Sequence, residues 1–385
     1  MFYRVIIALL SCLALLPLPA CQQKHVDAKE ASYESLGIPL SFYYEGNRER
    51  TPWDIAVYDG KLFVASGDYD KNAGPVHLMQ YDLNSGLWSE SGILPDEQAE
   101  RFVFLNGTLA VPGTDPKADW SMGNYYTYTD GQWHIQRAIP GGIHTFDLLS
   151  HNDIIFAGIG VPSGQSPIAL SYDGGLSFQQ LPLLRDGVPA DTTLPTDENG
   201  AVSGQIRVYE LFTLQNEVYA FYCYRTQENM DNAIYRYENQ AFHYVAGLPD
   251  NVRFNPTTYQ PISAEAEFRN RLFFTTGYLY VTDDMQNAKQ IELSDRTLIT
   301  DLKVFENKLY CTAIEKLEDG QYRTSLWCNP FGLDSGFLEV FHFTFPSPAQ
   351  CFTFADDIFY FGMGDGRISS YNDSNGTILA VEYLK

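Results

Sequence analysis

One short pattern recurs seven times along this chain and limits the folds open to it. An apolar strand end is followed by a turn of Asn, Asp or Gly and then by a bulky apolar triplet, as in Asp59-Gly60 before Lys61-Leu62-Phe63. Such a turn between two apolar runs is typical of a β-hairpin. The turns are anchored at Gly60, Gly107, Asp153, Asn216, Asn270, Asn307 and Asp356.

The regular return of the hairpin predicts a repeat architecture. Each interval also holds further strand-like pieces, such as His77–Tyr81 and Ile234–Tyr237, and no long amphipathic helix is evident. Four strands in each of seven units predict an all-β fold, a seven-bladed β-propeller of four-stranded antiparallel blades, over residues 49–385. The alternative is a pair of β-sandwiches with coincidental turns.

Composition supports a packed fold and limits the ligands. Aromatic residues make up 15% of the 385 residues and charged residues only 19%, a balance opposite to that of disordered chains. The formal net charge is -23, which repels phosphate backbones and excludes nucleic acid as a partner. A cationic ligand or a divalent metal suits such a surface.

The N-terminal segment predicts export. Arg4 precedes the apolar run Val5–Leu18, which is too short for a membrane span and is followed by a small residue, Ala20. Residues 1–20 are therefore predicted to be a signal peptide, and residues 21–48 a tether or cap. Whether Tyr33–Glu45 caps the ring or completes a blade stays open.

The end of this segment, Leu18-Pro19-Ala20-Cys21, resembles the lipobox of bacterial lipoproteins. The resemblance implies that Cys21 is diacylated and anchors the protein in the membrane. Pro19 replaces the small residue usual in that motif, and the alternative is an ordinary cleavage after Ala20. Because Gln22 stands where Asp would signal retention in the inner membrane, the resemblance implies the outer membrane, with the protein facing the periplasm or the cell surface.

A second resemblance concerns the fold. The segment from Ser171 to Phe178 is similar to the Asp-box, Ser-x-Asp-x-Gly-x-Ser/Thr-Trp/Phe, of sialidase-like propellers, with Asp173 and Gly175 at the turn positions. It falls between the two outer strands predicted for the third blade. In those families the motif organises a turn away from the ligand, so it implies structure and not activity.

Candidate ligand residues lie near the start of each innermost strand, six residues before the turn anchors. These positions hold Asp54, Arg101, Asp147, Glu210, Ala264, Asp301 and Gln350. The next positions are largely apolar: Ile55, Phe102, Leu148, Leu211, Glu265, Leu302 and Cys351. Because side chains alternate across a strand, the charged set is expected to face a common mouth, either as a ligand site or as a solvated channel.

Loops on the same side add further candidates. Asp115, Asp119 and Trp120 lie in one loop, and His144 begins the third unit. The insert 182–204, rich in Asp, Thr, Pro and Gly, is expected to hang over this side as a lid or an unstructured loop.

One loop offers oxygen ligands at alternating positions. Asp68, Asp70 and Asn72 have the spacing that a hard cation such as Ca²⁺ uses, although Met79 replaces the Glu of an EF-hand. The alternative is a turn held by Asx hydrogen bonds.

Two cysteines are placed to form a disulfide if Asp319-Gly320 forms a two-residue hairpin turn. Pairing around that turn sets Cys311 opposite Cys328, within disulfide reach in an oxidising compartment. The alternative is two buried thiols.

The sequence predicts a binding or interaction module on the cell envelope, with a glycan or protein ligand at the acidic loop side. The alternative is a glycan-active hydrolase or lyase that uses carboxylates at the channel mouth. A sialidase is excluded because the arginine triad of that family is missing. No nucleophile elbow, zinc motif or phosphate loop occurs, so no catalytic residue is assigned.

Overall fold

The computed structural model describes residues 28–45, 48–68, 71, 74–115, 121–196, 200, 202–226, 230–249, 251–252, 262–294, 297–364 and 372–383. The predicted signal peptide and the lipobox with Cys21 lie outside these residues. In the part of the chain described, no helix is long and apolar enough to cross a membrane. The one helix among these residues is a single 3₁₀ turn at Pro39–Phe42.

The strands of the described residues form six sheets, in which all pairs are antiparallel except β1 with β28 and β15 with β20. The first contains β3 (Ile55–Tyr58), β4 (Lys61–Val64), β5 (Val76–Asp82) and β6 (Leu87–Leu94). The second contains β7 (Val103–Leu105), β8 (Thr108–Pro112), β9 (Met122–Thr129) and β10 (Gln132–Pro140). The third contains ten strands: β11 (His144–His151), β12 (Ile154–Val161), β13 (Ile168–Ser171), β14 (Gln179–Gln180), β15 (Leu183–Arg185), β16 (Val188–Pro189), β17 (Gln205–Leu214), β18 (Glu217–Arg225), β19 (Met230–Glu238) and β20 (Ala241–Gly247).

The other three sheets follow in chain order. The fourth contains β21 (Ala264–Phe268), β22 (Arg271–Thr275), β23 (Leu279–Thr282) and β24 (Ala288–Ile291). The fifth contains β25 (Leu298–Phe305), β26 (Lys308–Lys316), β27 (Tyr322–Asn329), β28 (Leu338–Phe345) and the N-terminal β1 (Lys29–Glu30). The sixth contains β29 (Ala349–Ala355), β30 (Ile358–Met363), β31 (Ile378–Glu382) and β2 (Glu34–Gly37).

All seven predicted hairpin turns are present, and each joins the two innermost strands of a unit. Both turn residues have positive φ, for example +49° at Asn106 and +83° at Gly107, and +53° at Gln215 and +65° at Asn216. Positive φ at both positions is the type I′ geometry that matches the twist of the flanking strands. We call the side of the ring with these turns the turn face and the opposite side the loop face.

The sheets form a propeller-like ring, but the predicted seven separate four-stranded blades are wrong. Five sheets of four or five strands are separate, and the strands predicted for the third and fourth blades share the ten-stranded sheet. The two units join because β12 and β17 are long and pair beyond their own hairpins, with Gly160 opposite Arg207 and Val161 opposite Ile206.

The N-terminal segment completes the ring instead of capping it. β2 pairs antiparallel with β31, so the sixth sheet combines the beginning and the end of the chain. β1 pairs parallel with the outer strand β28. Leu40, in the 3₁₀ turn that follows β2, is fully buried in the adjoining core.

The first part of the insert 182–204 does not lie over the loop face as predicted. β15 pairs parallel with β20, so it extends the outer edge of the ten-stranded sheet. Pairing at a free edge satisfies the backbone groups of this segment and directs it away from the channel.

The predicted disulfide between Cys311 and Cys328 is wrong. Lys316 pairs with Tyr322, so the hairpin loop has five residues and the register differs by one from that of a two-residue turn at Asp319-Gly320. Cys328 therefore lies opposite Tyr310, while Cys311 lies opposite Trp327. A shift of one residue directs the two thiols to opposite faces of the sheet, and both are free and buried.

Candidate ligand site

The innermost strands enclose a central cavity of about 780 Å³. Of the predicted charged set, Asp54, Arg101, Asp147 and Asp301 line this cavity. Glu210 is fully buried and binds Arg101 beside it. The alignment at the turns thus identified side chains that the fold does bring together. In the last unit the alignment was one residue too early, because the turn consists of Asp356 and Asp357. The residue equivalent to Asp301 is therefore Cys351 and not Gln350.

Three of these aspartates connect neighbouring units of the ring, and Asp147 does so within the ten-stranded sheet. The Oδ2 atom of Asp54 accepts a hydrogen bond from the backbone N–H of Phe102 at 2.8 Å. In the same way, Asp147 accepts from Leu211 at 2.7 Å and Asp301 accepts from Phe352 at 3.0 Å. Each Oδ1 atom also accepts from the next residue of its own strand. These carboxylates therefore have a structural use that their position in the sequence does not reveal.

The first ion cluster of the cavity is centred on Arg101. Its guanidinium donates two hydrogen bonds to Glu210, from Nη1 and, at 2.7 Å, from Nη2. The Nη1 atom also lies 3.3 Å from Oδ1 of Asp147. Burial raises the pKa of the nearby Glu265 to about 7, and the charge of Asp147 adds to this against the attraction of Arg101.

The second ion cluster is centred on Lys303. Its ammonium donates to Oδ1 of Asp54 at 2.7 Å and lies 3.6 Å from Oδ2 of Asp301. Burial raises the pKa of Asp301 to about 6, although Lys303 favours the charged form.

Sequence reasoning missed two members of these clusters. Glu265 is the one charged residue in the otherwise apolar row that follows the candidate positions, and this irregularity could have identified it. Lys303 stands two residues after Asp301, so strand alternation places both side chains on one face. Carboxylate oxygens of Asp147, Glu210 and Glu265 lie within 4.8 Å of one another, a spacing that could hold a cation, but Arg101 already binds two of these residues.

A second group of residues lies at the loop face, where the ten-stranded sheet is joined. His144, Gly160 and Arg207 stand side by side on β11, β12 and β17. A side chain at Gly160 would put Cβ 2.9 Å from Cδ2 of His144, so only glycine leaves room for the imidazole. We call His144, Asp115, Phe146, Arg207 and Tyr209 the loop-face site.

Aromatic contacts hold the loop-face site together. The His144 ring stacks on Phe146 at 5.2 Å between centroids, and the Arg207 guanidinium lies 5.2 Å from the centroid of the same ring. Arg207 also donates to the Tyr209 hydroxyl at 3.0 Å. A guanidinium stacked on an aromatic ring keeps its planar edge available for hydrogen bonds.

The electrostatics of this site keep His144 uncharged. Its Nδ1 lies 3.0 Å from Oδ1 of Asp115. Burial and the charge of Arg207 lower the pKa of His144 to about 3. Burial also raises the pKa of Asp115, against the attraction of Arg207. The site thus presents a neutral imidazole beside a guanidinium.

Other predicted residues have different outcomes. Trp120, Asp70 and Asn72 lie outside the described residues, so the proposed Ca²⁺ site stays a prediction. Asp68 is buried, 3.5 Å from Nε of Arg48 and 4.0 Å from Nζ of Lys71.

The segment that resembles an Asp-box forms the turn between β13 and β14. The Asp173 carboxylate accepts hydrogen bonds from the hydroxyl of Ser171 at 2.7 Å and from the backbone and hydroxyl of Ser177 at 2.9 and 2.5 Å. These bonds lower the pKa of Asp173 to about 2. Phe178 is buried beside Tyr125, whose hydroxyl donates to the carbonyl of Gly175 at 2.8 Å.

Comparisons with known proteins find similarity to solved structures only. No family model and no curated protein matches the chain. An ulvan lyase of a polysaccharide lyase family is 10% identical with a TM-score of 0.48, over 92% of this chain and 94% of the lyase. An α-L-arabinofuranosidase from Fusarium graminearum is 12% identical with a TM-score of 0.44, over 74% of this chain and 92% of that enzyme. A puromycin hydrolase is 11% identical with a TM-score of 0.49, over 86% of this chain and 53% of the hydrolase.

Fold and site together define the chain as an all-β, propeller-like protein with two ion clusters in its channel and a cationic site at its loop face. The channel clusters can hold the sheets together, and the loop-face site can bind an anion.

Proposed function

We propose that this protein is an exported lipoprotein of the outer membrane that binds an acidic glycan at the loop-face site. The observation that carries the proposal is the state of Arg207. Among the described residues no carboxylate lies within 4 Å of its guanidinium, in a chain with 48 acidic and 25 basic residues. A partly exposed guanidinium without a carboxylate partner in so acidic a protein supports an anionic ligand.

The surroundings of Arg207 suit a carboxylate or sulfate group on a sugar. The guanidinium can form two parallel hydrogen bonds with such a group, and its stacking on Phe146 fixes the plane of those bonds. The neutral His144 can exchange hydrogen bonds with sugar hydroxyls without adding charge. An export signal and a lipid at Cys21 would place the site where polysaccharides occur.

The channel supports ligand binding less well. Arg101 is bound to Glu210, and Lys303 is bound to Asp54. An anion that enters the channel would have to displace these carboxylates from their cations. The displaced carboxylates would then be buried without a partner, which costs free energy.

The experiment is retention of glycans by the purified protein. Uronate-containing, sulfated and neutral polysaccharides would be compared with wild-type protein, Arg207→Gln and the control Arg185→Gln. Arg185 also stacks on an aromatic ring, 4.2 Å from the centroid of Tyr244, but it is paired with Asp231. We expect retention of the acidic glycans by wild type and by Arg185→Gln, and loss of at least about tenfold in affinity in Arg207→Gln, the value of one charged hydrogen bond.

Retention of neutral glycans, or equal retention by Arg207→Gln, would contradict the proposal. If no glycan is retained, and if an envelope protein is captured by wild type but not by Arg207→Gln, the protein-ligand alternative is favoured.

A second candidate function is cleavage of the glycan by elimination. It is favoured by His144, which is uncharged at neutral pH and can accept a proton, and whose Nδ1 lies 3.0 Å from Oδ1 of Asp115. The pKa of about 3 makes this imidazole a weak base, so the candidate ranks second to binding. His144 would remove the proton next to a uronate carboxylate while Arg207 neutralises the developing charge. The electrons of that C–H bond would form a C=C bond as the bond to the glycosidic oxygen breaks, and the His144 imidazolium would give its proton to the leaving oxygen. Mass spectrometry of the retained glycan would detect unsaturated fragments, and His144→Gln should abolish them.

A further inference from the structure

An apolar patch lies in the segment 330–337, which connects β27 to β28. Phe331 and Leu333 are 69% and 58% exposed, and Leu338 at the start of β28 is 48% exposed. The segment belongs to the turn face, because Nη1 of Arg271, which follows the turn at Asn270, donates to the carbonyl of Gly332 at 3.1 Å. We call Phe331, Leu333 and Leu338 the turn-face patch.

The negative charge next to this patch is compensated. Asp334 is the one charged residue of the segment 330–337. It accepts hydrogen bonds from Arg271 at 2.6 Å and from Lys289 at 2.7 Å. Arg271 also donates to Asp283 at 2.7 Å, so two cations and two carboxylates balance next to the patch. A protein with a net charge of -23 therefore presents here an apolar surface with no local excess of negative charge, which an anionic membrane surface repels less than the rest of the molecule.

The N-terminal strand begins on the same side of the molecule. β1 runs parallel to β28, with Lys29 opposite Phe341 and Glu30 opposite His342. Because β28 starts at the turn face with Leu338, Lys29 is the end of β1 nearer to the turn-face patch. Cys21 precedes Lys29 by eight residues, a length that spans at most about 29 Å when extended.

We infer that the turn face lies against the membrane and that Phe331, Leu333 and Leu338 enter the boundary between lipid headgroups and acyl chains. The inference rests on the proposed lipid at Cys21. A bilayer is the occupant that the geometry favours, because a short tether keeps it next to the patch at high effective concentration. Leu176, in the turn between β13 and β14, is a further exposed apolar side chain on the turn face. The loop-face site then points away from the membrane.

The experiment labels single cysteines in the full-length, membrane-inserted protein. The cysteines at 223, 311, 328 and 351 are buried and an acylated Cys21 keeps no free thiol, so in acylated protein an introduced surface cysteine reacts selectively with an environment-sensitive fluorophore. Phe331→Cys would be compared with Ile93→Cys, a matched control at the loop-face end of β6 that is 50% exposed. Vesicles of phosphatidylethanolamine and phosphatidylglycerol would carry nitroxide-labelled acyl chains as quenchers.

We expect the nitroxide lipids to remove most of the emission at position 331 and none at position 93. Equal quenching at both positions, or none at either in protein whose intact mass shows the acyl chains, would overturn the inference and leave glycan binding untouched. Protein that lacks the acyl chains and shows no quenching would overturn the lipid anchor and this inference together. Leu333→Cys repeats the measurement if Phe331→Cys does not fold.

Discussion

The channel and the loop-face site place cationic side chains in opposite situations. In the channel, Arg101 is bound to Glu210 and Lys303 to Asp54, so each cation is used within the protein. At the loop face, Arg207 is held by an aromatic ring and a tyrosine hydroxyl, and no carboxylate among the described residues binds it. The difference indicates that the channel cations stabilise the ring, whereas Arg207 is available for a ligand.

Removing the channel arginine should have the largest effect. Arg101→Met leaves Glu210 and Asp147 buried without their cation, and we expect the free energy of unfolding to fall by about 3–5 kcal/mol. Urea denaturation measures this change, with Arg185→Met as the exposed control. A loss no larger than that of the control would show that the Arg101 cluster does not stabilise the fold.

The pH dependence of stability tests the same cluster. Because the pKa of Glu265 is about 7 in the folded protein and 4.5 ordinarily, the folded state retains a proton that the unfolded state releases. Stability therefore falls as pH rises from about 4.5 to 7, by about 1.4 kcal/mol for each unit of pKa difference. Glu265→Gln should flatten this decline in urea titrations at pH 5 and pH 8. If the free energy of unfolding of Glu265→Gln falls with pH as much as that of wild type, a group other than Glu265 carries the proton.

The connection between neighbouring sheets gives a smaller effect. Asp301→Ala leaves the buried N–H groups of Leu302 and Phe352 without their acceptor. We expect a loss of about 1–3 kcal/mol in the free energy of unfolding. Asp319→Ala, in an exposed turn, is the control and should change stability by less than about 0.5 kcal/mol.

The smallest change in stability is expected at the loop face, where ligand binding should respond instead. In Gly160→Ala the new Cβ would lie 2.9 Å from the His144 ring, so the ring must move. We expect weaker retention of acidic glycans with a stability loss of roughly 1 kcal/mol. If Gly160→Ala retains acidic glycans as well as wild type does, His144 does not contribute to binding and Arg207 alone remains as the binding residue.

The local pattern of the sequence was sufficient for the hairpins and for the channel. Asn, Asp and Gly at the turns tolerate positive φ, so each turn could be located from residue type alone. Counting back from the turns then identified Asp54, Arg101, Asp147, Glu210 and Asp301. In the same way, strand alternation could have added Lys303.

Features that depend on register or on distant pairing could not be predicted. One residue of loop length decides whether Cys311 faces Cys328, and Asp319-Gly320 fits a loop of two residues or of five. The position of Arg207 depends on the pairing of β17 with β12, which are separated by the insert 182–204. No local pattern reports that contact, so the joined sheet and the arginine beside His144 were both missed.

The pairing of β2 with β31 also sets the order in which the molecule can be completed. Glu34 lies opposite Ala380, so the sixth sheet needs a strand from each end of the chain. During synthesis the N-terminal strand emerges first and must wait, unpaired, until β31 has been made. A contact of such sequence separation forms slowly. Ring closure should therefore follow the release of the complete chain, and truncation within Ile378–Glu382 should leave the edges of both β2 and β30 open to aggregation.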